Sequence, residues 1–302
     1  MQETTHFGDN YDPFKEYEFP PALGAVSTRS NNYSFIPPFD KLVFVSDDAI
    51  STSSFSNLSQ AKYDYAYFSK PTQYKGHVQL LSAPLNNVLP YSVVIINPWA
   101  LKLSASAVYG LLLSFFQGGS PDIRVSSYTG TIDLMGYSQS QISASTYVSR
   151  TRAINNISYK GKTTYMGKRK SRTQTTVYDK GAEQKVDFTW TRIERKVKIQ
   201  KDSRPSAQQF LTGGYKVEPF KPVHIVDISK LKKSTRIGKV VHQNGIGKAI
   251  LDRSLSESER KWLRKFAKDP ANQLIDINGL FLSMYSAWIA PQLAVSLQVG
   301  RK

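Results

Sequence analysis

Thr163-Thr-Tyr-Met-Gly-Lys-Arg-Lys-Ser-Arg-Thr-Gln-Thr-Thr-Val-Tyr178-Asp-Lys-Gly-Ala-Glu183, followed by Trp190-Thr-Arg-Ile-Glu-Arg195, is the stretch whose reading decides the fold. Two β-branched runs, 163–167 and 174–178, flank a Lys168-Arg-Lys-Ser-Arg172 turn, which predicts a hairpin. The next segment, Phe188–Ile199, alternates as a strand does. Ile193, Val197 and Ile199 fall on one face, and Trp190, Arg192 and Glu194 on the other. An apolar back and a polar front make a sheet that can carry a site.

Reading outward adds further elements. Lys41–Ser46 and Tyr91–Asn97 are strand runs, the second stopped by Pro98. Ser104 to Gln117 places Val108, Leu111, Leu112, Phe115 and Phe116 at helical spacing, and Gly118-Gly119 stops it. Ile123–Leu134 and 223–228 are further strands, and the Ser-rich piece 51–60 reads as loop. Ser256 with Glu259 predicts a capping box. Trp262, Leu263 and Phe266 predict its helix's buried stripe, and Asp269-Pro270 its end. Leu274–Val295 predicts one or two packed helices broken near Pro291. The expected fold is α+β: a mainly antiparallel sheet platform flanked by helices, with a helical C-terminal region. The expected divisions are an acidic region with an irregular lead-in (1–75), a core (76–225), and a basic strand and helical region (226–302).

The chain has 302 residues, with 40 Lys and Arg against 23 Asp and Glu, a net charge of +17. The first 70 residues carry nine acids and five bases, so the excess lies in the remainder. Such a balance predicts an anionic partner, nucleic acid before an acidic membrane surface. With no cysteine, disulfides, thiolate catalysis and Cys-based zinc sites are excluded. No apolar run reaches membrane-span length and the N-terminus is polar, so a soluble cytoplasmic protein is the expectation. No GxxxxGK[ST] loop, Ser-His-Asp elbow or His-x-His pair is present.

The order of several pieces resembles plasmid rolling-circle replication initiators of the Rep-trans type, with filamentous-phage initiators as more distant relatives. The pieces are the strand–Asn97-Pro98–helix unit, the strand holding Asp133, the Tyr165-x-Gly167 turn, Val177-Tyr178-x-Lys180 with Glu183, and Trp190-x-Arg192-Ile-Glu194. They span roughly residues 90–200. The resemblance implies a site-specific DNA nicking and strand-joining enzyme. Its tyrosine, here Tyr178, attacks a phosphodiester at a replication origin and forms a 5′-phosphotyrosyl link. It also implies a divalent metal, Mg²⁺ or Mn²⁺, held by acids that match Asp133 and Glu194. A homodimer and a host helicase partner are implied too. The chain departs from the family pattern where a second acid is usual, four residues after Asp133; here that place is Tyr137.

The chemistry can also be argued from the residues. A phenol with a pKa near 10 needs help to become a nucleophile, and a metal or neighbouring ammonium supplies it. Lys180, two residues from Tyr178, shares its side if the strand continues. Hard cations take oxygen ligands, which suits Asp133 and Glu194. Arg192 is a candidate phosphate clamp. Lys168, Arg169, Lys170, Arg172, Arg195 and Lys196 are the DNA-contact candidates. Plainer readings stand beside these: Tyr178 as a packed sheet tyrosine, Asp133 as a turn residue, Glu194 and Arg192 as ion-pair partners. Two other function classes compete. One is a cleavage-deficient DNA-binding replication or regulatory protein. The other is an RNA-binding or capsid-internal basic protein.

Overall fold

Strand β6 (Arg124–Met135) is the axis of the molecule because both its faces are used. The computed structural model describes residues 37–51, 56–60, 63–68, 77–116, 121–151, 153–158, 162–168 and 171–299. Ile36–Lys302 makes one compact unit. The strands before β6 are β1 (Phe39–Ser46), β2 (Ser56–Gln60), β3 (Tyr63–Phe68), β4 (Val78–Pro84) and β5 (Ser92–Ile96). After it come β7 (Thr146–Val148), β8 (Ile154–Ser158), β9 (Lys162–Met166), β10 (Thr173–Asp179), β11 (Trp190–Lys198), β12 (Val223–Val226) and β13 (Gln273–Ile275). Ten strands form one antiparallel sheet, ordered β2-β3-β4-β5-β1-β6-β11-β10-β9-β8. β13-β12-β7 form a second, smaller sheet. The helices are α1 (Pro98–Leu101), α2 (Ala105–Phe115), α3 (Gln139–Ser145), α4 (Lys180–Gln184), α5 (Ala207–Leu211), α6 (Arg236–Asn244), α7 (Ile246–Ala249), α8 (Glu257–Lys268) and α9 (Ile277–Val299). The architecture is α+β, as the residue patterns predict.

The back of the large sheet is the main core. Phe39 on β1 lies at its centre, with ring centroids 5.2 Å from Trp288, 5.5 Å from Phe210 and 5.7 Å from Tyr128. All four rings are buried. The polar tips are satisfied: Tyr285 Oη donates to the Phe210 carbonyl (2.6 Å) and Trp288 Nε1 to the Leu103 carbonyl (2.7 Å). Gly130 of β6 is required here. A Cβ would come within 2.9 Å of Pro219 and 3.1 Å of Phe281, so α9 packs directly on strand backbone. The smaller sheet has its own core, in which Tyr147 and Val226 meet Val241, Ile246, Leu255, Leu263 and Ala267 of the helical region.

Several expectations need correction. The irregular lead-in expected at the start of the chain falls almost wholly outside the described residues; of what is described before residue 75, β1 sits mid-sheet between β5 and β6. Half of the Ser-rich loop is strand β2. Helix α9 runs unbroken through Pro291. Trp262 is not part of the buried stripe of α8. It is 47% exposed, and Leu263 and Ala267 are the buried positions. Among the described residues, no helix is long and apolar enough to cross a membrane.

Candidate active site

The front of the large sheet gathers the chemistry-bearing residues, and strand register explains why. Directly opposed residues of antiparallel strands project to the same side. Thr176 opposes Glu194, Tyr178 opposes Arg192, and Arg192 opposes Asp133. These side chains, with Trp190, therefore share the front. Val177, Ile193 and Ile132 share the back and are fully buried.

Tyr178 ends β10. Its Oη donates a hydrogen bond to Glu194 Oε1 at 2.7 Å. Burial, and then the Glu194 charge, hold the phenol well above its usual pKa. Burial first and Asp40 second push the Glu194 carboxyl up to about 7, against the pull of the Tyr178 hydrogen bond, Arg192 and Lys180. A phenol thus rests on a carboxylate whose proton affinity lies near neutrality.

Lys180 is not on a continuing strand. Asp179 caps α4, accepting from the Ala182 amide, so Lys180 begins a helix. Its side chain is nonetheless buried against the site. Nζ lies 5.9 Å from the Tyr178 ring centroid and 5.2 Å from that of Trp99, and it pairs with Glu183 at 3.0 Å.

Arg192 is fully buried, which removes it as a phosphate clamp. Nε and Nη2 donate to the two oxygens of Asp133 at 2.7 and 2.8 Å, and the guanidinium lies 4.0 Å from the centre of the Trp99 ring. Trp190 Nε1 donates to the same Asp133 Oδ1 at 2.8 Å. Burial works against the arginine charge, and Asp133 more than reverses it, so the guanidinium stays protonated.

This settles how far the expected metal pair fits. Asp133 has committed both oxygens to protein donors, and Glu194 has committed Oε1 to Tyr178. No group of three or more His, Cys, Asp or Glu able to hold a metal occurs among the described residues. The Asp133–Glu194 pair does not fit a divalent cation in this arrangement.

Two residues of the site carry no sequence signal of their own. Asp40 reaches the front because β1 is irregular: Phe39 opposes Gly130 and Lys41 opposes Thr129, leaving Asp40 as the extra residue of a bulge. Its carboxylate lies 3.7 Å from Arg192 Nη1 and 3.5 Å from Asn97 Nδ2. Trp99 follows the Asn97 cap of α1, where the Asn97 side chain accepts from the Ala100 amide. The Asn97-Pro98 motif marks that unit but not the indole's role as the wall over Arg192.

The DNA-contact candidates divide. Arg169 and Lys170 lie outside the described residues. Lys168 and Arg172 are exposed, but at the far end of the β9–β10 hairpin. Six residues separate Arg172 from Tyr178, ~20 Å of strand. Arg195 points the wrong way for DNA. By the same alternation that brings Glu194 forward it faces the back, buried, with Nη1 donating to Thr175 Oγ1 at 2.5 Å. Burial pushes its pKa down to about 10. Lys196 is exposed on the front. Burial, then Lys198 and Lys41, hold its ammonium below the usual lysine value. Lys41 and Lys198 are therefore its neighbours. Lys198 donates its amide to the Arg172 carbonyl at 2.8 Å, so the lysines run from Glu194 toward the basic turn.

The chain matches no family model and no curated protein sequence. Among solved structures it is similar to a rolling circle replication initiator protein from Geobacillus stearothermophilus. The identity is 10%, over 78% of this chain and 98% of that one, with a TM-score of 0.43.

Proposed function

We propose that this chain nicks and rejoins DNA through Tyr178, in the manner of an initiator of rolling-circle replication. The observation that carries the reading is the 2.7 Å hydrogen bond from Tyr178 Oη to Glu194, on a sheet front whose lysines face solvent. The ordered motifs across residues 90–200 support the same reading.

In the proposed step, Glu194 accepts the phenolic proton as Tyr178 Oη attacks the phosphorus. The P–O3′ bond breaks, and the leaving 3′ oxygen takes up a proton to become a 3′-OH. The phosphoryl group stays on the 5′ side, joined to Tyr178. Rejoining is the reverse. Arg192, buried beside the phenol, favours the phenolate through its charge and acts as a positioning residue. Lys180 adds a second cation against the tyrosine ring. Lys196, Lys198 and Lys41 receive the phosphates of the flanking strand.

A second reading, a DNA-binding protein without cleavage, is favoured by one observation: Asp133 is engaged by Arg192 and Trp190 instead of standing free for a metal. One experiment separates the two. The protein is incubated with supercoiled plasmid and with a random-sequence single-stranded DNA pool, with and without Mn²⁺. Covalent adducts are then counted after denaturation. The nicking reading expects an adduct from the wild type and none from Tyr178→Phe. An equal yield from both would remove Tyr178. Salt-sensitive binding with no adduct under any condition would establish the second reading.

A further inference from the structure

We infer that α8 presents a second nucleic-acid surface, remote from Tyr178 in sequence, that takes an unpaired DNA strand. The helix buries Leu263 and Ala267 in the core of the smaller sheet. Its other side shows Lys261, Trp262, Lys265 and Lys268, all exposed. Lysines at i, i+4 and i+7 share one helix face, and none of the three pairs with an acid among the described residues. The acids of the first turn are used elsewhere: Glu257 takes Arg260 at 2.7 Å and Arg264 at 2.9 Å, and Glu259 closes the capping box.

Trp262 makes this more than a solvated basic face. Its ring stacks on Phe266, with centroids 5.3 Å apart and planes at 23°, and 47% of the residue faces solvent. Phe266 supports one side of the indole. An aromatic platform among cations suits a base stacked on the ring with phosphates on the ammoniums. The face argues against duplex readout. Lysines can read guanine in a major groove, but an exposed indole platform needs an unstacked base, and the two arginines of α8 are held by Glu257. The choice of DNA over RNA rests on the nicking reading; the stacking surface itself does not.

The test uses the full-length Tyr178→Phe protein, so that binding is read without covalent capture. Anisotropy of labelled oligo(dT) is measured against oligo(U), a duplex of equal length and anionic phospholipid vesicles. The expected result is tightest binding to oligo(dT), weakened about tenfold by Trp262→Ala and largely kept by Trp262→Phe. Replacing Lys261, Lys265 and Lys268 by Ala should flatten the salt dependence by ~2 in log–log slope. Circular dichroism checks that α8 remains folded. Indifference to Trp262→Ala, or a preference for duplex or vesicles, would overturn the proposal. A Trp262-dependent preference for oligo(U) would overturn the choice of DNA. Failure of the nicking reading would show separately, as a wild type that forms no adduct while Trp262-dependent binding persists.

Discussion

At one end of β10 and β11, charges are buried and answered from within. Arg192 is held by Asp133, Lys180 by Glu183, and the Glu194 carboxylate accepts from Tyr178. A few residues along the same strands, Lys196 and Lys198 are exposed with no acid partner among the described residues, and the exposed Arg172 follows. The contrast separates two uses of charge. Desolvated, paired groups set the proton affinity and position of the Tyr178 phenol, whose oxygen is the reacting atom of the proposed step. Solvated, unpaired cations are, under the proposed function, left for the phosphates of DNA. Charge counts along the sequence cannot tell these apart; burial does.

The comparison can be broken most forcefully at the buried end. Glu194→Gln keeps the shape of the site and removes its proton acceptor. Adduct formation should fall by a factor on the order of 10² to 10⁴. The same change should stabilise the fold at alkaline pH. A carboxyl raised from 4.5 to about 7 on folding binds its proton more tightly in the native state. The native state therefore loses stability as pH rises from 4.5 through 7, by ~3 kcal/mol in all, and Gln escapes that loss. Thermal unfolding at pH 8 checks the sign: a less stable Gln variant would mean that the Glu194 pKa is not raised.

Asp133→Ala strands the buried Arg192 charge and should cost ~3–5 kcal/mol by denaturant unfolding. A loss below 1 kcal/mol would mean that the guanidinium is not desolvated. At the exposed end the effect is milder and of another kind. Changing Lys41, Lys196 and Lys198 to Gln should leave stability nearly unchanged. It should reduce the salt dependence of single-stranded DNA binding by ~2 in log–log slope. An unaltered slope would place the phosphates elsewhere.

Much of this arrangement is legible in the sequence, and the parts that are not share a cause. Period-two alternation places Trp190, Arg192 and Glu194 together, and the hairpin 163–178 follows from β-branched runs about a turn. The same alternation assigns Arg195 to the back and Lys196 to the front, although the two are adjacent in one basic run. The Asp133–Arg192 pair needs the cross-strand register, which a single strand does not contain. Asp40 needs the bulge in β1, and nothing in Phe39-Asp-Lys-Leu announces it. The distance of Lys168 and Arg172 from Tyr178 follows from hairpin geometry once Tyr178 is placed at the end of the strand. Trp262 looks like a core residue from its spacing beside Leu263 and Phe266; only the packing of the smaller sheet shows which side of α8 is covered.

Two smaller effects sharpen the contrast further. Asp40 raises the Glu194 pKa, so Asp40→Asn should shift the pH dependence of adduct formation toward lower pH, with little change in the plateau rate. An upward shift would contradict the assigned sign. Mn²⁺ added to the DNA-free protein should leave its melting temperature unchanged, since both Asp133 oxygens already accept from Arg192 or Trp190 and no group of three or more His, Cys, Asp or Glu able to hold a metal occurs among the described residues. A rise would reveal a cation site that these contacts do not describe.

Activation of Tyr178 by Glu194, the core of the proposed function, is tested most directly by the pH–rate profile of adduct formation. For the wild type, the rate should climb with pH, bend near 7 as Glu194 loses its proton, and then level. For Glu194→Gln it should be low and without that bend. The same bend in both proteins, or a Glu194→Gln variant as fast as the wild type, would contradict the account.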